Sequence, residues 1–145
     1  MIRVDRIMDI TRREKECLEY VYELTRDGWP ATLKNISDKL GVKPPTAVEF
    51  LQRLSSLSMI EKGRGGYRLT DNGKELIREI LRSHRIFETF LSRIGVPLDD
   101  ACRISSEVDL YIDTEAINAI CEHIGHPVSC PHGKEIPVGD NFDAR

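Results

Sequence analysis

Two short helices separated by a glycine turn, with a glycine-rich hairpin directly after them, limit the fold of this chain more than any other feature. Apolar residues at helical spacing predict a helix over residues 33–40, and Gly41 supplies the turn. A second helix opens at Lys43, and its buried side is predicted to consist of Val48, Leu51 and Leu54. Extended runs at residues 59–62 and 67–70 then flank a glycine turn. This order of elements predicts a winged helix-turn-helix, with the hairpin as the wing.

Most of the remaining chain is predicted to be helical. Thr11 and Glu14 form a capping-box pattern, so we expect the first helix to begin at Thr11. After the hairpin, apolar periodicity predicts helices at residues 71–94, 98–112 and 113–123. The segment from Ser129 to Arg145 is predicted to be irregular and frayed at its end. The predicted fold class is mainly α with a small β-hairpin wing, divided into a DNA-binding domain at residues 1–73 and an all-helical domain at residues 74–145.

Composition restricts the class of protein. The 145 residues are 40% hydrophobic and 31% charged, which allows a buried core and is not typical of a disordered chain. No stretch approaches the roughly 18 apolar residues of a membrane span, and the N-terminus lacks a signal-peptide core. We therefore expect a cytoplasmic protein without membrane contact, whose four scattered cysteines are thiols rather than disulfides.

Charge is divided unequally along the chain. Residues 1–75 contain 14 Lys and Arg against 12 Asp and Glu, whereas residues 76–145 contain 7 against 12. A mildly basic half followed by an acidic half fits a nucleic-acid reader joined to a domain that attracts cations or partners.

The second helix of the pair and the wing carry the predicted DNA contacts. The major groove admits one helix and presents base edges with distinct hydrogen-bond patterns. Outward positions of that helix and basic residues of the wing are therefore predicted to bind double-stranded DNA: Lys43, Pro44, Thr46, Ala47, Gln52, Arg53, Arg64 and Arg68. The competing interpretation is a winged helix used for protein contact or as a scaffold.

Two ionisable residues interrupt the apolar stripe of the long helix. His84 and Glu88 lie four positions apart and share a face with Ile80, Phe87 and Leu91. Burying such groups without a partner is costly. A divalent cation would satisfy both residues, and a hydrogen-bonded pair is the alternative that the pattern leaves open.

The first helix carries a second set of carboxylates. Glu16 and Glu19 lie three positions apart on the same side of that helix. Together with a histidine and a carboxylate from the long helix, they would form a mixed oxygen and nitrogen site of the type that suits Mn²⁺ or Fe²⁺. A solvated helix face is the alternative interpretation of these two residues.

Four segments together carry a resemblance to a known family. They are ECLEYVYEL at residues 16–24, LTDNGK at residues 69–74, SHRIFETFL at residues 83–91 followed by IGV, and IGHP at residues 124–127 followed by CPHGK. The chain in this respect resembles the iron- and manganese-dependent repressor family, which includes the diphtheria toxin repressor and the manganese transport regulator. The resemblance extends over nearly the whole chain.

The resemblance implies both a function and a set of ligands. It implies a transcriptional repressor rather than an enzyme, which binds palindromic operators as a homodimer through a helical dimerisation domain. Bound Mn²⁺ or Fe²⁺ would draw the DNA-binding domain into register with that domain. By position, Glu16, Glu19 and His84 fall on metal-ligand positions, and Glu88 falls on an ancillary-site position. The implied form has two domains and lacks the SH3-like domain of many family members.

One segment departs from the family pattern. The family continues with an Ala-Cys-Arg-Ile-Glu-His-like run, whose Cys or Glu, Glu and His bind metal. Alignment from the left keeps Cys102 but places serines at the Glu-His positions, whereas alignment from the right places Asp109 and Leu110 there. Cys102, Glu107 and Asp109 are therefore alternative ligands. A bound thiolate would favour Fe²⁺ or Zn²⁺, and carboxylates with histidine would favour Mn²⁺.

Four further side chains near the C-terminus are of metal-binding type: Cys121, His126, Cys130 and His132. Their C-x4-H-x3-C-x-H spacing is not a standard structural zinc pattern. The similar family segment is structural, so a zinc cluster is the less favoured interpretation.

Three other functions compete with a metal-dependent repressor. The first is a metal-independent winged-helix regulator with a decayed metal site, which operator binding insensitive to chelator would reveal. The second is a metallohydrolase that uses His84, Glu88 and Asp109, although the chain has no nucleophile motif and no glycine-rich phosphate loop. The third is a dimeric interaction module that does not bind DNA.

Overall fold

The computed structural model describes residues 10–138, which form six helices and one two-stranded antiparallel sheet. The chain divides into two compact units, and the division between Ile77 and Arg78 falls inside a continuous helix. Within residues 10–138, no helix is both long enough and apolar enough to cross a membrane. The predicted fold class, mainly α with a hairpin wing, is confirmed.

Helix α1, Arg12–Arg26, begins where its cap predicts. The Glu14 backbone N–H donates to Thr11 Oγ1 at 3.1 Å, and the Thr11 N–H donates to Glu14 Oε1 at 2.9 Å. This capping box satisfies two amide groups that the first helical turn leaves without backbone partners. The buried apolar face of α1 consists of Cys17, Leu18 and Val21.

The helix-turn-helix follows with α2, Leu33–Leu40, and α3, Pro44–Ser56. Thr32 caps α2, because its hydroxyl oxygen accepts a hydrogen bond from the Asn35 N–H at 3.1 Å. Gly41 ends α2 in the left-handed region at φ +67°, a conformation that glycine adopts without steric cost. Both helices pack against α1 and against each other.

The inward face of α3 differs from the prediction. Ala47, which we predicted to contact DNA, is fully buried, whereas Val48, predicted to be buried, is half-buried. The buried stripe runs through Ala47, Leu51 and Leu54, so at its start it lies one residue earlier than predicted. The DNA contact predicted for Ala47 is therefore wrong, because this side chain belongs to the core.

The wing consists of β1, Ile60–Gly63, and β2, Gly66–Leu69. The paired residues are Ile60 with Leu69, Glu61 with Arg68, Lys62 with Tyr67, and Gly63 with Gly66. The Tyr67 N–H also donates to the Ala31 carbonyl at 2.9 Å, which ties the hairpin to the segment before α2. Gly66 has φ +142°, and a Cβ there would lie 2.6 Å from that same carbonyl oxygen, so the turn requires glycine.

Three helices build the second unit: the main part of α4 (Asp71–Arg93), α5 (Leu98–Val108) and α6 (Thr114–His123). Helix α5 ends four residues earlier than predicted. The Tyr111 N–H donates to the Val108 carbonyl at 2.9 Å, which tightens the chain into a turn. Asp113 then caps α6 by accepting a hydrogen bond from the Glu115 N–H at 3.0 Å.

The core of this unit holds the C-terminal segment against α4. Its buried residues are Ile86, Ile117, Cys121 and Ile136. Beyond α6, Ser129 and Glu135 form an antiparallel bridge, and Arg85 of α4 donates to the Glu135 carbonyl. The segment predicted to be irregular is thus made of turns and one bridge as far as Val138. Residues 139–145, where fraying is predicted, lie outside the described residues.

Candidate metal centre and DNA interface

Helix α4 places His84 between two carboxylates. His84 Nε2 lies 3.0 Å from Glu88 Oε2, one turn further along the same helix, and His84 Nδ1 lies 3.3 Å from Asp109 Oδ2 just after α5. Glu88 and Asp109 are 1% and 4% exposed, so their charges have little water around them. A buried carboxylate needs such partners, because burying it alone would cost several kcal/mol. Each ring nitrogen of His84 therefore faces a different carboxylate, Nε2 that of Glu88 and Nδ1 that of Asp109.

Cys102 of α5 completes a group of three metal-binding side chains. Its Sγ lies 3.8 Å from His84 Nε2, and the ligand atoms of His84, Glu88 and Cys102 all lie within 4.8 Å of one another. Burial raises the pKa of the Cys102 thiol, and the nearby Glu88 carboxylate raises it further. A cation at this position would oppose both effects, because it favours the thiolate form.

A second group of three meets on the other oxygen of Glu88. His132 Nδ1 lies 2.8 Å from Glu88 Oε1, and Cys130, which is 6% exposed, joins them with all ligand atoms within 4.8 Å of one another. Glu88 and His132 are 44 positions apart in sequence, so helical periodicity could not pair them. The Cys-x-His spacing of residues 130 and 132 was the one sequence signal for this group. The interpretation of the segment as structural made a metal site there the less favoured prediction.

The donor sets fit a divalent transition metal. Imidazole nitrogen, thiolate sulfur and carboxylate oxygen are the ligands that Zn²⁺ and Fe²⁺ take from proteins. Asp109 faces His84 Nδ1, so it can hold the proton there and leave Nε2 free to bind a cation, as a carboxylate behind a metal-bound histidine does. Ser105 of α5 is also buried, and its hydroxyl oxygen has no hydrogen-bond partner among the described residues.

The segment that differs from the family pattern offered three alternative ligands, and two of them contact His84 while the third does not. Cys102 and Asp109 both contact the imidazole. Glu107 is exposed and forms an ion pair with Arg103 at 3.6 Å, outside both groups. Leu110 is 2% exposed and belongs to the hydrophobic core. Each alignment thus contributes one residue at His84, namely Cys102 for the alignment from the left and Asp109 for the alignment from the right.

The carboxylates of α1 have cationic partners on their own helix. Glu16 forms ion pairs with Arg13 and, at 3.9 Å, with Arg12. Glu19 pairs at 3.3 Å with Lys15, whose side chain is 4% exposed. Their role as metal ligands stays a prediction, and any cation that binds them must compete with these partners.

The four C-terminal side chains do not form one cluster in the described part of the chain. Cys121 Sγ lies 3.5 Å from His126 Nδ1, while Cys130 and His132 face Glu88. The arrangement therefore separates the four residues into a local Cys-His contact and a contribution to the group around Glu88.

The predicted DNA contacts lie on exposed parts of the first unit, apart from Ala47. Lys43, Pro44 and Gln52 are exposed on α3, and Thr46 is half-buried there. Arg53 is half-exposed and lies 3.9 Å from Glu14. These side chains form a polar surface at the start and along one side of α3, which is the geometry that a reading helix needs.

The two arginines of the wing differ in their contacts. Arg64 is exposed at the turn between the two strands. Arg68 pairs with Glu61 across the hairpin at 2.8 Å, with side chains 65% and 51% exposed. Because an exposed ion pair of this kind is weak, phosphate can displace Glu61 at little cost.

Comparisons with known proteins match both units. Residues 9–62 match the family described as "Iron dependent repressor, N-terminal DNA binding domain", and residues 70–138 match "Iron dependent repressor, metal binding and dimerisation domain". Together the two matches span most of the chain, which supports one function for both units.

Individual relatives agree with these matches. The transcriptional regulator MntR of Escherichia coli O6:H1 is 30% identical over 117 residues, which span 78% of this chain and 75% of that protein. The diphtheria toxin repressor of Corynebacterium jeikeium is 26% identical over 141 residues, or 92% of this chain and 57% of that protein. The crystal structure of T. acidophilum IdeR has a TM-score of 0.71 at 36% identity, covering 92% of this chain and 61% of that chain. The resemblance predicted from the four sequence segments is confirmed.

Proposed function

Because this chain belongs to the iron-dependent repressor family, we propose that it is a metal-dependent transcriptional repressor that binds palindromic operator DNA as a cytoplasmic homodimer. The observation that carries the proposal is the convergence of His84, Glu88 and Cys102 within the region that matches the metal-binding and dimerisation domain. An imidazole nitrogen, a thiol sulfur and a buried carboxylate oxygen meet there, and transition metals bind this set of donors.

DNA recognition is assigned to α3 and the wing. Lys43 lies at the start of α3 and Gln52 on its exposed side, where they can meet phosphate and base edges in the major groove. Arg64 and Arg68 of the wing supply positive charge for the adjacent backbone. In a dimer, two such helices about 34 Å apart would read successive major grooves, which is why we expect a palindromic operator.

The metal centre is assigned to the second unit. A bound divalent cation would supply positive charge beside the buried carboxylates of Glu88 and Asp109. His84 would hold the cation through Nε2 while Asp109 orients its ring, and Cys102 would hold it as a thiolate. Of the two ions predicted from the sequence, Fe²⁺ suits this set better than Mn²⁺, because a thiolate favours the softer ion.

Metal loading and operator binding are coupled in this proposal. If the metal raises the affinity for operator by some factor, operator must raise the affinity for the metal by the same factor. Glu16 and Glu19 are proposed to contribute to this coupling, as the family positions imply. The metal-independent alternative makes the opposite prediction, namely equal operator affinity with and without chelator.

A variant of His84 tests the proposal. Duplexes selected from a random pool with Fe²⁺-loaded or Mn²⁺-loaded full chain serve as operators, and fluorescence anisotropy measures affinity with metal and with chelator. We expect His84→Ala to lower metal-dependent operator affinity at least about tenfold, within the usual range of allosteric coupling, and to leave the dimer intact.

His123→Ala is the matched control, because His123 is exposed at the end of α6 and belongs to neither donor group. It should bind operator as the parent chain does. Equal affinity of the parent chain in metal and in chelator would reject the proposed function in favour of the metal-independent regulator.

A further inference from the structure

The first turn of α1 carries two arginines, Arg12 and Arg13, which belong neither to the predicted DNA contacts nor to the predicted metal ligands. Their side chains are 52% and 46% exposed. Positive charge in the first turn of a helix opposes the helix dipole, whose positive end lies there. The two arginines therefore do not stabilise α1 through its dipole. One carboxylate, that of Glu16, forms ion pairs with both of them.

Arg13 lies beside the turn of the helix-turn-helix. Its Nη2 donates to the carbonyl of Leu40, the last residue of α2, at 3.1 Å. Lys43, which is exposed and is a predicted DNA contact, follows three residues later and precedes α3. The neighbouring residue on α1, Glu14, lies 3.9 Å from Arg53 of α3, a further predicted DNA contact. The first turn of α1 thus adjoins the surface that is assigned to DNA.

Glu16 holds both arginines through ion pairs that are easily exchanged. Arg13 pairs with it from three positions earlier, and Arg12 lies 3.9 Å from it, four positions earlier. In both pairs the cation precedes the carboxylate, which is the less favourable order on a helix. The Glu16 side chain is 26% exposed, so water screens both pairs. A stronger partner on either side can therefore separate them, namely phosphate for the arginines or a divalent ion for the carboxylate.

From this arrangement we propose that Arg12 and Arg13 are phosphate contacts of the DNA interface, and that Glu16 occupies them until a divalent ion binds its carboxylate. The inference rests on the proposed function for the metal at Glu16, whereas the phosphate contacts themselves need no metal. A metal ion and a guanidinium compete for the same carboxylate oxygens, so a metal at Glu16 releases positive charge beside α3. Arginine binds phosphate through the same planar set of donors with which it binds a carboxylate.

These contacts would raise the affinity for any duplex rather than the preference for one sequence. Phosphate contacts carry no direct sequence information, because every nucleotide has the same phosphate. Each phosphate that a protein neutralises steepens the fall of log affinity with log salt concentration by about 0.9. Two released arginines should therefore steepen that slope by up to about 1.8. A metal that only changed the spacing of two reading helices would instead favour operator over other duplexes.

Binding of a mixed-sequence duplex by the metal-free full chain tests the phosphate contacts. Fluorescence anisotropy in chelator measures the affinity over a series of salt concentrations. Glu16→Gln removes the carboxylate charge and leaves both arginines, so we expect about three- to tenfold tighter binding at low salt and a slope steeper by about 1–2. Adding Arg12→Ala and Arg13→Ala to this variant should abolish both gains.

Asp27→Asn is the matched control, because it makes the same change in charge and releases Arg26 at the opposite end of α1. It should keep the slope of the parent chain, and circular dichroism confirms that each variant is folded. A slope for Glu16→Gln equal to that of Asp27→Asn would overturn the phosphate contacts.

The same assay separates release by metal from the proposed function. With Fe²⁺ or Mn²⁺ the parent chain should show the steeper slope that Glu16→Gln shows in chelator, and equal slopes with and without metal would reject the release. Metal-dependent operator binding together with an unchanged slope in Glu16→Gln would keep the proposed function and reject the contacts. Equal operator affinity in metal and in chelator, together with the steeper slope in Glu16→Gln, would reject the proposed function and keep the contacts.

Discussion

Glutamates occur in two contrasting settings in this chain, on α1 and at the centre of α4. The side chains of Glu16 and Glu19 are 26% and 27% exposed, and arginine or lysine of the same helix neutralises them. Glu88 is 1% exposed and has two histidines as its contacts. All three residues are glutamates, but those of α1 pair with arginine or lysine, whereas Glu88 pairs with histidine.

That difference decides whether the partners of a carboxylate compete with a metal ion or can help to hold it. An arginine or lysine partner carries a permanent positive charge and has no lone pair for a metal, so it competes with the cation. A neutral histidine offers a nitrogen lone pair, so it can join the carboxylate in holding the same cation. Carboxylates alone therefore do not identify the centre, whereas a buried carboxylate among histidines and cysteines does.

The largest difference between Glu88 and the glutamates of α1 is expected in the free energy of unfolding of the metal-free protein. Glu88→Ala removes the shared partner of two histidines and leaves a cavity, so we expect a loss of about 2–3 kcal/mol in the free energy of unfolding. Glu19→Ala should cost less than about 1 kcal/mol, because it breaks one partly exposed pair. Urea denaturation in chelator measures both values. Equal losses in the two variants would show that burial does not distinguish these carboxylates.

A smaller effect is expected from the cysteine of α1 at alkaline pH. Burial, and then the charge of Glu14, raise the pKa of Cys17 from 9.0 to about 12. The unfolded chain ionises this thiol above pH 9 while the folded chain keeps it protonated, so stability is complete below pH 9 and falls as the pH rises towards 12. Between pH 8 and pH 10 the loss should be roughly 1 kcal/mol.

Cys17→Ala should remove this alkaline contribution. The free energy of unfolding, measured by urea denaturation at several pH values, should therefore fall less steeply in the variant than in the parent chain. Identical slopes would contradict the burial of the Cys17 thiol.

The smallest effect sharpens the role predicted for Glu16. Arg13 holds this carboxylate, so Arg13→Ala should free it and raise the affinity for Mn²⁺ or Fe²⁺ about two- to fivefold, which corresponds to one surface ion pair. Arg12→Ala, which removes the longer contact of 3.9 Å, should have a weaker effect. Calorimetric titration decides the matter, and unchanged affinity in Arg13→Ala speaks against Glu16 as a ligand.

Local sequence determined the winged helix-turn-helix almost completely. The Thr11 capping box, the Thr32 cap and the glycine turns are short-range features, and each fixes a boundary within a few residues of the chain. The error at Ala47 has the same origin, because a helical stripe read from sequence can be displaced by one residue. Only packing shows that the small alanine, and not the valine beside it, enters the core.

The candidate centre shows what sequence could and could not determine. The i, i+4 spacing within one helix was sufficient to single out His84 and Glu88. The arrival of His132 at the second oxygen of Glu88, with Cys130 in the same group, depended on how the C-terminal segment packs against α4. Residues four positions apart on a helix are neighbours, so the sequence alone can identify such a pair. A contact between residues 44 positions apart depends on the tertiary fold, so helical spacing cannot identify it.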